Sequence, residues 1–199
     1  VVEQVVAGTA EHQTYGGQPV ISGPSSAQGF GLADLLAMRR REAERFLARG
    51  GIMALLAHPD VAHPGLGWRR YDWLPAPEGF RWQERLRPGF GSLGVLLEDA
   101  GHPFAPYLEA FGDHLSYRAE VDEEAPGFGG YGRVFARSPG GAAVAVELAV
   151  GAGRLVLLPA LTHFEQERPA IAETLFACFD RFREQGEPLA PDWIRKEVP

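Results

Sequence analysis

Residues 143–160, AVAVELAVGAGRLVLLPA, constrain the fold more than any other stretch of this 199-residue chain. Two β-rich runs bracket Gly151-Ala152-Gly153, and a short connection containing Gly between such runs reads as a hairpin. The second run, Arg154 to Leu158, is almost wholly apolar, which suits a strand covered on both faces. It is the candidate central strand. The residues after Pro159 therefore stand beyond the carboxyl end of a strand, where open α/β sheets keep their ligand sites.

Upstream, Pro19 to Gly23 reads as a strand, and a helix is expected from about Ala33 to Ala48. Its apolar positions Leu32, Leu35, Leu36, Ala43, Phe46 and Leu47 fall near i, i+3, i+4, i+7 spacing. The basic run Arg39-Arg40-Arg41 interleaves with Glu42 and Glu44 and reads as the solvated face of that helix. Gly50-Gly51 stops the helix, and Ile52 to Ala57 resumes as an apolar strand. This succession is a βαβ pattern, which implies parallel strands. Gly8 to Gln18 reads as a loop, Pro103 to Phe111 as a short helix, and Arg133 to Leu158 as a three-stranded antiparallel meander. A last helix runs from about Pro169 to Glu184, with Ile171, Leu175, Cys178, Phe179 and Phe182 as its buried stripe. The expected architecture is α/β: a three-layer Rossmann-like domain whose mainly parallel sheet is extended by an antiparallel C-terminal hairpin. One domain over residues 1–187 is expected, with 188–199 as an extended strap or linker. The chain starts at Val1 and is expected to be part of a longer protein.

PVISG, the helix ending AERFLARGG, and the strand IMALLAHP resemble the core of class I glutamine-amidotransferase-like domains. The later GGAAVAVELAVGAGRLVLLPA is similar to the Gly-x-Gly-Arg hairpin of their non-catalytic relatives. The resemblance implies a Rossmann-like fold, and in the catalytic members a Cys nucleophile on a tight strand-to-helix turn. Here the one cysteine, Cys178, falls inside the apolar stripe of the last helix instead. A buried structural thiol is expected, since reactive cysteines need an electropositive, partly exposed setting. The resemblance then implies a fold without glutaminase activity.

The net charge of -7 argues against a nucleic-acid or anionic-membrane partner. No run of about eighteen apolar residues is present, and no secretory leader is visible. With one cysteine there is no intrachain disulfide, and a cytoplasmic setting is expected. No Gly-x-Ser-x-Gly elbow occurs. Ser25 and Ser26 follow a strand and could face a ligand site, but Ser in a Gly-Pro-Ser-Ser turn is usually turn chemistry. His58, Asp60 and His63 follow one expected strand, and Thr162, His163 and Glu165 follow another, so the two groups could converge at one sheet edge. His58, His63 and His163 are the candidate metal ligands; no other cofactor is expected. The loop from His58 to Arg87 carries Trp68, Arg70, Tyr71, Trp73 and Trp82. Aromatic rings beside arginines suit a protein interface, while rings on an ordered loop also bury to cap a sheet.

The expected function is a non-catalytic binding or interaction domain whose partner is another protein or further domains of the same chain. The runner-up is a metal-dependent hydrolase at the His58, Asp60, His63 loop. Small-ligand or sugar binding on the tryptophan-rich loop is a third reading.

Overall fold

The fold is described from a computed structural model. It describes residues 11–15, 18–22, 26–57, 71–78, 80, 82–84, 94–112, 115–116, 119–161 and 168–185. The chain divides into two compact units, Val1–Arg45 with Asp60–Pro75, and Phe46–Pro59 with Ala76–Pro199. None of the helices among the described residues is long and apolar enough to cross a membrane.

In the first unit, β1 (Glu11–Tyr15) pairs antiparallel with β2 (Gln18–Ser22), and Tyr15 is the register partner of Gln18. The two residues between them in sequence are Gly16 and Gly17, the type that two-residue hairpins favour. Two expectations are corrected here. Residues 11–15 form a strand and not a loop, because pairing with β2 satisfies a backbone whose polar side chains carry no hydrophobic signal. β2 takes β1 as its partner, so the strand preceding the helix does not supply the parallel neighbour that the βαβ pattern implied.

Helix α1 (Ser26–Ala48) begins about two turns earlier than its apolar spacing predicts. It runs through Gly29 and Gly31, each of which costs only about 1 kcal/mol in a helix. Leu36, Ala43 and Leu47 are buried, while Phe46 is 50% exposed and falls outside the expected stripe. Arg40 pairs with Glu44 at 3.0 Å and Arg39 with Glu42 at 2.6 Å, which is the solvated charged face the sequence predicts. Arg40 Nη1 also donates to the Asp72 carbonyl at 3.1 Å, tying the turn at residues 71–74 to this face of the helix. Gly50, at φ 85°, ends α1: its N–H donates to the Leu47 carbonyl and that of Gly51 to Phe46.

The second unit contains an eight-stranded sheet among the described residues. β3 (Ile52–Ala57) lies parallel to β10 (Gly153–Leu161), from Ile52 beside Arg154 to Ala57 beside Pro159. β10 pairs antiparallel with β9 (Ala143–Val150), and β9 with β8 (Gly132–Arg137), whose register shifts around Phe135. The expected meander is present. Further antiparallel pairings add β4 (Trp82–Glu84) to β7 (Ala119–Val121), β7 to β9, β5 (Leu96–Leu97) to β8, and β6 (Leu115–Ser116) to the end of β10.

The chain is therefore α/β with a mixed sheet. The expected mainly parallel sheet is corrected to one with a single parallel pairing among the described residues. The short turns joining β8 to β9 and β9 to β10 allow only antiparallel neighbours, whereas a parallel pair such as β3 and β10 needs a long connection.

α2 (Ala105–Phe111) and α3 (Arg168–Gln185) cover one face of this sheet. Phe104, Tyr107, Leu108 and Phe111 meet Ala145, Val156 and Leu158 of the strands and Ile171 and Cys178 of α3. Leu175, Phe179 and Phe182 pack against the same cluster, completing the stripe read from the sequence. On the other face Val144, Val146, Leu148, Leu155 and Leu157 are also buried. The central strands are thus covered on both sides, as the unbroken apolar run of β10 requires.

Two glycines permit close backbone approach in this unit. A Cβ on Gly153 would run into the carbonyls of Gly51 and Leu47, so the β9–β10 turn can meet the end of α1 only if residue 153 is glycine. A Cβ on Gly127 would meet the backbone of Glu78 and Phe80, so these two residues of the aromatic-rich stretch lie close against the turn at 125–131.

Gly153→Ala is expected to destabilise by about 1–3 kcal/mol, the usual cost of forcing atoms into a filled space. Gly129→Ala, where nothing lies within 4 Å of the added carbon, is expected to stay within about 0.5 kcal/mol of the parent in urea unfolding.

Candidate functional site

β9 carries one acid in an otherwise apolar strand. Glu147 is 4% exposed, and an ionised carboxylate taken out of water requires a cation or donors close by. The antiparallel register places Glu147 beside Val156 and Ala149 beside Arg154, so Arg154 is the diagonal neighbour on the same face. Arg154 Nε lies 3.1 Å from Glu147 Oε1, close enough for an ion pair though not aligned for a hydrogen bond. Its Nη1 donates to the Gly153 carbonyl at 2.8 Å. Burial lowers the pKa of the Arg154 guanidinium, and Glu147 opposes that shift.

The other carboxylate oxygen is held by His102, which comes from the loop before α2. His102 Nε2 is 3.0 Å from Glu147 Oε2, and His102 Nδ1 accepts the Phe104 N–H at 3.1 Å. A nitrogen that accepts carries no proton, so this pattern assigns the hydrogen to Nε2, which donates to Glu147. The ring stacks on Phe135 at 3.7 Å and 6°, and Phe182 of α3 meets it edge-on at 6.1 Å.

The loop that delivers His102 is fixed at several further points. The N–H groups of Glu98 and Asp99 donate to the Phe135 carbonyl, and Asp99 Oδ1 accepts the Gly101 N–H at 3.0 Å. Asp99 also pairs with Arg133 of β8, and Gln185 at the end of α3 donates to the Gly101 carbonyl at 3.3 Å.

A histidine hydrogen-bonded to a carboxylate, with an arginine as counter-charge, has the composition of an acid–base site. With side-chain exposures of 0%, 4% and 5%, no substrate reaches them from solvent. What the cluster does is hold residues 98–104, and with them the start of α2, on the sheet. Sequence reasoning missed it. The available signal was Glu147 and Arg154 standing in apolar strands, each of which needed a partner; nothing in the sequence indicated His102.

A second charged group lies nearer the surface. Arg137 Nε donates to Glu98 at 2.7 Å, and its Nη2 to Glu123 at 2.8 Å. Glu123 thus closes the acidic stretch at 120–124 onto β8. The hydrogen bond from Arg137 holds its carboxyl below the usual carboxylate range, against the opposing effect of burial.

Of the residues singled out from the sequence, Ser25, His58, Asp60, His63, Trp68, Arg70, Thr162, His163 and Glu165 lie outside the described residues. Ser26 is the first residue of α1, and Trp82 opens β4 opposite Val121. Tyr71 and Trp73 are half-buried in a turn closed by the Leu74 N–H on the Tyr71 carbonyl at 2.8 Å. Cys178 is fully buried in α3, and burial raises its pKa, as expected of a structural thiol.

The sheet does settle where two of the candidate segments start. Ala57 and Pro159 are register partners at the carboxyl ends of adjacent parallel strands. The chain leaves β3 directly into His58 and leaves β10 directly into Thr162. No family model and no curated protein matches this chain.

Glu147→Ala leaves Arg154 buried without its counter-charge, and is expected to cost about 3–5 kcal/mol in equilibrium unfolding. Glu123, with its pKa lowered in the fold, contributes stability that is present above the ordinary carboxylate range and lost as pH falls through the folded value. Glu123→Gln is therefore expected to flatten the acid side of the stability curve below about pH 4.3. At neutral pH the variant should lose on the order of 0.5 kcal/mol, as its partial exposure implies.

Proposed function

We propose that the chain is a non-catalytic binding or interaction domain of the class I glutamine-amidotransferase-like kind, with a three-layer Rossmann-like core, working within a larger protein. The observation that carries this reading is Cys178. The sole thiol of the chain sits fully buried on α3, packed beneath Tyr107 and the strands, with its pKa raised by burial. Glutamine hydrolysis by that family requires a thiolate on an exposed strand-to-helix turn, and a thiol kept protonated in a core is not a nucleophile. The hairpin that resembles those domains supports the same reading, since Gly153 and Arg154 each have a structural task in closing it. Partner contact is assigned to the aromatic-rich stretch carrying Trp68, Arg70, Tyr71, Trp73 and Trp82.

A second reading is favoured by one observation, the register of Ala57 with Pro159. The carboxyl ends of parallel strands are where α/β sheets place their ligands, and the sequence continues from β3 into His58 and from β10 into Thr162. In that reading His58, His63 and His163 would hold a divalent metal, whose contribution would be to make a water nucleophilic near neutral pH, and Asp60 or Glu165 would be the proton acceptor.

Two measurements separate the readings. Ammonia release from glutamine is expected to be absent and unaffected by Cys178→Ala; Cys178-dependent release overturns the first reading. Elemental analysis of the purified chain beside a His58→Ala, His63→Ala double variant is expected to find no stoichiometric metal in either. Metal present in the parent and lost in the variant establishes the second.

A further inference from the structure

We draw no further inference here: the strongest candidate, the buried His102, Glu147 and Arg154 cluster beneath α2, belongs to the site already described and has every member enclosed by the fold, so that nothing in the structure shows a ligand reaching it.

Discussion

A carboxylate withdrawn from water in the middle of a sheet is tolerated only when its charge is met on the spot, and Glu147 is met from two sides. Arg154 supplies the opposite charge from the neighbouring strand, and His102 supplies a hydrogen bond from the loop before α2. Such a cluster contributes little net stability compared with apolar residues of the same volume, because desolvation offsets most of the attraction. Its effect is on specificity. The register that places Arg154 diagonal to Glu147, with His102 turned inward between Phe135 and Phe182, gives both carboxylate oxygens a partner. The sheet pairing and the position of the 98–104 loop are thereby made mutually dependent, and α2 and α3 pack on what that arrangement leaves.

The same hairpin is constrained at its turn. Gly153 brings the end of α1 within backbone contact of β10, and the N–H of Arg154 donates to the Gly51 carbonyl at 2.9 Å. From there β3 runs parallel to β10, so the strand pair whose carboxyl ends lead into residues 58 and 162 is set in register by its opposite end.

Legibility in the sequence depends on which interactions are local. β8, β9, β10 and α3 were legible because apolar alternation, a Gly-containing turn and a 3.6-residue stripe are written within each segment. The burial of Cys178 came from the same stripe. β1 was not legible, since Glu-His-Gln-Thr-Tyr has no hydrophobic face and becomes a strand only by pairing with β2. The parallel partner of β3 was also hidden, because β10 lies about a hundred residues further along, and no local pattern specifies a pairing at that separation. The contribution of His102 depends on three elements meeting, and its neighbours in sequence, Gly101 and Pro103, indicate only a turn.

The central claim is that Glu147 and Arg154 act as one unit, each tolerated in the core because of the other. A double-mutant cycle with Glu147→Leu and Arg154→Leu, read by equilibrium unfolding, tests it most directly. The account predicts that each single substitution is costly and that the double variant recovers much of the loss, with a coupling energy of about 2 kcal/mol or more. Single-variant losses that add to within about 0.5 kcal/mol would contradict it.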